Sequence, residues 1–333
     1  MNFDFTDDQR AIKETARDLL GKRFKLERLR ELAESKTYAD DAWTEVSELG
    51  WPGIFIAEEN GGQDLGVIEL VILLEELGYV LAPMPFLSNA AAGLILQDAG
   101  ADDRLAGVAS GEQRGTVGVV KDGRAALVPD AEEADFIILL DGTDATLVER
   151  GDAQVEAIDA IDPTRRYATV SVNGGESLGD VSRGRDLIAL AVSAELVGIG
   201  QRVMEMAVEY AKDRKQFDRA IGSYQAVSHA CAEMLKKVEG SRSLVYYGGW
   251  AADAAPDEFS LAASVAKAYA SDMGWEVSAS SLQVHGGIGF TWEHDLHWFL
   301  KRAKTDGVLY GSARDHRERV AELAGLGATA AAV

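Results

Sequence analysis

Three glycines in four residues, Gly286, Gly287 and Gly289, stand within Gln283-Val284-His285-Gly286-Gly287-Ile288-Gly289-Phe290. Large apolar side chains bracket them at the end of a long apolar-periodic helix. Glycine in such a place lets the backbone turn through positive φ, or lets a ligand approach where a Cβ would collide. Taken alone, the stretch reads equally well as a glycine helix stop. A second stretch stands upstream, Arg214-Lys215-Gln216-Phe217-Asp218-Arg219-Ala220-Ile221-Gly222-Ser223-Tyr224-Gln225. The order and separation of the two carry more information than either one.

Other chemistry-bearing residues read more plainly. His294 and His297, with Glu293, lack a further clustered ligand, so a polar, partly aromatic helix start is favoured over a metal site. Cys231 falls at an apolar helix position and reads as core. It excludes an internal disulfide and fits a reducing compartment. Glu75-Glu76 reads as a solvated helix face. No Gly-x-Ser-x-Gly, Walker or Rossmann fingerprint appears.

The elements that must position these groups fall into three blocks. Residues 1–110 read as helical. Thr6 with Gln9 forms a capping box ahead of an apolar stripe at Ile12, Ala16, Leu19 and Leu20, which Gly21 closes. Asp41 opens a second helix, and a third holds Leu70, Leu73, Leu74 and Leu77. Residues 111–180 change character. Phe136–Leu140, Ala145–Val148 and Tyr167–Val172 have strand content, and Asp141-Gly142 and Asn173-Gly174-Gly175 punctuate them, which argues a small middle β domain. Residues 181–326 are helical again. Leu187, Leu190, Ala194, Val197, Met204, Val208 and Ala211 recur at 3–4 spacing, and Tyr224, Val227, Cys231, Met234 and Val238 repeat the pattern. Pro256 sits where a helix begins, and stripes of this kind pack as a bundle. Residues 327–333 read as a tail.

Composition sets outer limits. A net charge of −22 argues against nucleic acid and disfavours an anionic membrane surface. No uninterrupted apolar run reaches the ~18 residues of a spanning helix, so no membrane insertion is expected. No secretory signal is visible at the N-terminus, and a cytoplasmic location follows as an expectation.

Arg-x-Gln-Phe, then Ile-Gly and Gln, then Gln-x-x-Gly-Gly-x-Gly-Phe two helices later, resembles the C-terminal half of an acyl-CoA dehydrogenase. Leu49-Gly50-Trp51-Pro52-Gly53-Ile54, followed by Glu58-Glu59-Asn60-Gly61-Gly62, is similar to that family's N-terminal signature. The resemblance implies a mainly α fold with a small β domain. An N-terminal helical domain, a middle β domain and a C-terminal four-helix bundle follow in that order. It implies FAD as cofactor, an acyl-CoA substrate and an electron-transfer acceptor. In such enzymes a carboxylate removes the α-proton and hydride leaves Cβ for the flavin.

Residue by residue, the resemblance assigns cofactor contact to Arg214, Gln216, Phe217, Gln225, Gln283, His285, Gly286, Gly287 and Gly289. The catalytic set is incomplete. The family's flavin-ring segments, Thr-Glu-Pro-x-x-Gly-Ser-Asp and Trp-x-Ser/Thr-Asn, are not found between 105 and 180. Tyr310, in Leu309-Tyr310-Gly311-Ser312, occupies the position of the family's glutamate base. The alternative base position, counted back from Arg214, falls on Ile188. Glu195 and Asp315 remain as weak substitutes, and Glu195 reads better as a helix-surface or interhelical residue. The chain is thus similar to the shortened subunits of α2β2 acyl-CoA dehydrogenases, such as those acting on sterol side chains. A larger subunit would supply the base, and this chain would complete the FAD site. Two alternatives stay open: a complete homomeric dehydrogenase, dimer or tetramer, with an unrecognised base, and a non-enzymatic helical scaffold.

Overall fold

A computed structural model describes residues 4–326. Six helices come first: α1 (Asp7–Arg23), α2 (Leu26–Ser35), α3 (Asp40–Glu48), α4 (Val67–Val80), α5 (Phe86–Ala99) and α6 (Leu105–Ser110). The Thr6 hydroxyl accepts the Gln9 N–H while the Gln9 side chain accepts the Thr6 N–H, so the expected capping box is present. The expected stop at Gly21 is not. The helix runs through Gly21 and ends at Arg23, because one glycine costs only about 1 kcal/mol relative to alanine and Leu20 behind it is buried.

Glu75 and Glu76 also depart from expectation. They are 2% and 0% exposed, not solvated. α4 is packed against α1 and two later helices, α7 (Ser182–Asp213) and α8 (Gln225–Ala254), and its stretch 70–78 is buried on every side. The two carboxylates are compensated instead. Lys13 and Arg242 pair with Glu75, Tyr246 donates to it at 2.6 Å, and Arg17 holds Glu76. α4 and α7 touch through glycine. A Cβ on Gly78 would lie 2.2 Å from the Glu195 carbonyl, and one on Gly198 would lie 1.9 Å from the Glu75 carbonyl.

The middle block is one seven-stranded sheet in the order β5-β6-β2-β1-β3-β4-β7. Its strands are β1 (Gly115–Lys121), β2 (Arg124–Pro129), β3 (Phe136–Asp141), β4 (Asp144–Glu149), β5 (Ala153–Ile158), β6 (Tyr167–Val172) and β7 (Glu176–Asp180). Only the β1–β3 pair is parallel. β3 is buried from Phe136 to Leu140, which is why its apolar run is continuous and not alternating.

Three long helices then pack side by side: α7 (Ser182–Asp213), α8 (Gln225–Ala254) and α9 (Pro256–His285). Pro256 opens α9 as its position requires. Two short helices, α10 (Leu296–Asp306) and α11 (Ala313–Leu323), complete the bundle against α9. α7 is long and apolar enough to cross a bilayer, but 89% of its most apolar stretch is buried inside the protein. A two-residue hairpin, β8 (Lys215–Gln216) and β9 (Arg219–Ala220), links α7 to α8.

Candidate cofactor cleft and a buried ionic network

The C-terminal ends of α7 and α9 border a cleft of about 480 Å³. Tyr210, Arg214, Gln216 and Ile221 line one side, and Val284, His285, Gly286, Gly287 and Ile288 the other. Arg214 caps α7 with its N–H on the Tyr210 carbonyl and accepts the Ile221 N–H on its own carbonyl at 2.8 Å. Its exposed guanidinium makes no ion pair or hydrogen bond among the described residues. The hairpin turns at Phe217 and Asp218, both with positive φ (+52° and +63°), the backbone a tight two-residue turn demands. Tyr224 steadies it, donating to the Gln216 carbonyl at 3.1 Å while Arg219 stacks on the Tyr224 ring at 3.8 Å.

Opposite, α9 ends at His285 and the chain turns through Gly286 at φ +63°. A Cβ on Gly286 or Gly287 would meet no atom of this chain. At Gly286 the backbone conformation explains the residue. At Gly287 neither conformation nor packing within the chain does, so the bare backbone faces outward into the cleft. His285 donates from Nδ1–H to the Ser281 carbonyl at 2.8 Å, which leaves Nε2 as the unprotonated nitrogen of the neutral ring. Its ring stacks on Tyr210 at 4.7 Å and meets the His294 ring edge at 4.6 Å. Burial holds the His285 pKa below the ordinary imidazole value, with the Ser281 carbonyl partly opposing. Burial and the neighbouring His285 lower that of His294.

Five of the nine residues assigned to cofactor contact therefore meet in one place: Arg214, Gln216, His285, Gly286 and Gly287. The other four do not line the cleft. Phe217 stands at the hairpin tip, 88% exposed. Gln225 is the exposed first residue of α8, and Gln283 is exposed in the last turn of α9. Gly289 is packed under His285 and Leu282. Sequence reasoning missed Tyr210. Its spacing of four from Arg214 on α7 places both on one helix face, which is the signal that would have found it. The expected helix start at Trp292–His297 lies at Leu296. There His297 stacks on Trp292 and meets Trp298 at a tilt, and His294 Nδ1 accepts the Leu296 N–H.

Tyr310, which the resemblance sets at the position of the family's base, lies in a different environment. Tyr310 is 8% exposed, takes left-handed backbone at φ +58°, and its hydroxyl has no partner among the described residues. Burial raises its pKa, so it stays a phenol. Around it lies a buried ionic network. Glu195 accepts from Arg165 Nη2 at 2.7 Å on both oxygens and from Arg302 Nη1 at 2.7 Å. Arg165 also reaches Asp306 at 2.9 Å, and Arg302 reaches Asp162 and, at 2.6 Å, Thr164. Lys267 donates to the Asp306 carbonyl at 2.7 Å and to Ser271 at 3.0 Å. Burial pushes the Lys267 pKa down to about 7 and raises that of Asp306, the adjacent Glu195 charge adding to the rise.

These contacts decide between the readings of Glu195. It is interhelical and fully committed, and the two guanidiniums outweigh burial to hold its pKa below the usual carboxylate value. A carboxylate so held is a poor proton acceptor. Asp315, the other substitute, is the N3 residue of a capping box, accepting from the Ser312 N–H and hydroxyl. Ile188 is buried and has no group to offer.

Comparison with known proteins fits this geometry. Residues 6–111 match the acyl-CoA dehydrogenase N-terminal domain, and residues 185–324 match the C-terminal domain. The chain is 32% identical over 317 residues to the acyl-CoA dehydrogenase IpdE2 of Mycolicibacterium smegmatis, covering 95% of this chain and 98% of that protein. It superimposes on a chain of the Tcur3481–Tcur3483 steroid ACAD with a TM-score of 0.88 at 25% identity, over 97% of this chain and 99% of that one. On a chain of the ChsE4–ChsE5 complex of Mycobacterium tuberculosis the TM-score is 0.89 at 24% identity, over 98% and 99%, a likeness of fold. Matched at both ends and similar along nearly its whole length, the chain belongs to the acyl-CoA dehydrogenase family.

Proposed function

We propose that this chain is the subunit of a heteromeric acyl-CoA dehydrogenase that completes the FAD site of a larger partner and does not supply the catalytic base. The observation that carries the reading is Tyr310, a buried phenol with a raised pKa at the position of the family's carboxylate. Neither substitute carboxylate is free to act, as Glu195 and Asp315 are both committed inside the chain.

The cleft fits one part of FAD. Arg214, unpaired and exposed, would make charge-assisted hydrogen bonds to the pyrophosphate. Gly287 would let it approach the backbone closely. Bound FAD supplies the hydride acceptor for the α,β-dehydrogenation. This chain's contribution is to bind and orient the cofactor, while a carboxylate of the partner takes the α-proton. Ile288, Phe290 and Trp292, exposed in sequence around the cleft, support a protein partner at this edge. Likeness to a steroid ACAD supports acyl-CoA thioesters of steroid origin as substrates.

The test is turnover with an artificial electron acceptor across several acyl-CoA chain lengths. The chain is assayed alone and co-expressed with a full-length family member encoded nearby. Activity is expected only in the pair, with about one active site per heterodimer. Robust activity of the chain alone, abolished by Glu195→Gln or Asp315→Asn, would hand the case to a homomeric enzyme.

A further inference from the structure

His285 differs from the other residues of the cleft in having a chemical state that can change. Its tautomer is set from behind: Nδ1–H is engaged by the Ser281 carbonyl, so the lone pair of the neutral ring resides on Nε2. The hydrogen bond that His285 makes among the described residues is through Nδ1, not Nε2, and His285 lines the same cleft as Arg214. Neutral, that nitrogen presents a lone pair to a phosphate oxygen, which repels it. Protonated, it becomes a second donor next to the guanidinium.

The surroundings oppose protonation until an anion arrives. From α7, Tyr210 covers one ring face, and the cationic Arg214 lines the same cleft. From the segment after α9, His294 meets the ring edge. Asp295 and Arg30 stand behind His294 as a pair at 2.7 Å, close to neutral together. On α9 itself the facing group is the Ser281 carbonyl, already engaged. No carboxylate among these groups contacts His285.

We propose that His285 is a proton-dependent anion ligand, so that a pyrophosphate diester enters this cleft together with one proton. The inference rests on the cleft being the pyrophosphate site of the proposed function and adds a second cationic ligand to it. The proton comes from solvent and stays on Nε2 while the diester is bound. No covalent bond forms.

The probe is ADP-ribose, whose pyrophosphate diester keeps its charge across this pH range. It is titrated calorimetrically into the full-length chain at pH 5.5 and pH 8.0, with adenosine as the phosphate-free control. Affinity is expected to be roughly tenfold higher at pH 5.5, the gain of a charge-assisted hydrogen bond. His285→Gln should bind with no difference between the two pH values. Arg214→Gln should weaken binding at both and keep the difference. Imidazole ¹⁵N shifts of His285 should show Nε2 protonated in the complex and unprotonated without ligand.

A wild-type chain that binds equally at both pH values, with Arg214→Gln still weakened, would overturn the role of His285 and leave the cleft assignment standing. So would a His285→Gln chain that keeps the pH difference. Binding unaffected by Arg214→Gln, equal binding of adenosine, or no binding at either pH would overturn the cleft assignment and this inference together.

Discussion

The same helices carry two polar assemblies of opposite character. Where α7 and α9 end, among the described residues Arg214 has no partner, a Cβ on Gly287 would meet nothing within 4 Å, and His285 makes its hydrogen bond through Nδ1 alone. Halfway along α7, Glu195 receives three hydrogen bonds from two buried arginines, and each arginine reaches a second carboxylate. A buried charge is tolerable only when its hydrogen bonds close inside the protein. A group meant for a ligand must leave some of them open. The difference separates groups left open to a ligand at the ends of α7 and α9 from charges consumed inside the chain around Glu195.

Four measurements would break or sharpen that contrast. Arg302→Leu should have the largest effect. It leaves Glu195 and Asp162 short of a compensating charge, which typically costs about 3–5 kcal/mol in denaturant unfolding. A loss below about 1 kcal/mol would show that the network is not a closed unit.

Next comes acid sensitivity at the edge of the network. His316 donates to the Tyr310 carbonyl at 3.1 Å, and its other nitrogen is buried without a partner. Burial lowers its pKa from 6.5 to about 4. Between those values the unfolded chain binds a proton that the folded chain refuses. Stability is therefore full above pH 6.5 and falls as pH drops toward 4, by up to about 3 kcal/mol from this group. His316→Leu should start lower, having orphaned the Tyr310 carbonyl, and should lose less between pH 6.5 and 4 than the wild type. Equal slopes would place His316 outside the closed assembly.

At the open assembly the expected effects move from stability to binding. In the complex with its partner, Arg214→Gln should lower FAD affinity about tenfold to a hundredfold, the worth of a charge-assisted contact at roughly 1.5–3 kcal/mol. Its unfolding should not change. Retained flavin at wild-type levels would count against the assignment.

The smallest effect is expected at Phe217. At 88% exposure it buries nothing in this chain, so Phe217→Ser should shift stability by no more than about 0.5 kcal/mol. A larger loss would mean that the hairpin tip packs within the subunit.

The open assembly was legible in the sequence because it is local. Arg214 to Gln216 and His285 to Gly287 are each contiguous, and glycine leaves a mark wherever backbone must stay bare. The block order and the Thr6 cap were legible for the same reason. The closed assembly was not. Nothing in Glu75-Glu76 shows that α4 is enclosed on all sides, and nothing in Glu195 shows two arginines waiting. Those partners come from 30 to 171 positions away. Tyr310, set by the resemblance where the family has a carboxylate, was legible only as a residue type, and its burial was not.

Those long separations have a consequence in time. Arg165 and Asp306 are 141 positions apart, and Glu195 and Arg302 are 107 apart. A ribosome adding about 5–20 residues per second needs roughly 5–20 s to make the chain between Glu195 and Arg302. Throughout that interval the emerging protein holds Asp162 and Glu195 without Arg302, and Arg165 without Asp306. The sheet can fold and α7 can form, but the layer between sheet and bundle stays hydrated and loose. Until α10 leaves the ribosome, then, the nascent chain is exposed to chaperones and proteases in a way that the finished chain is not.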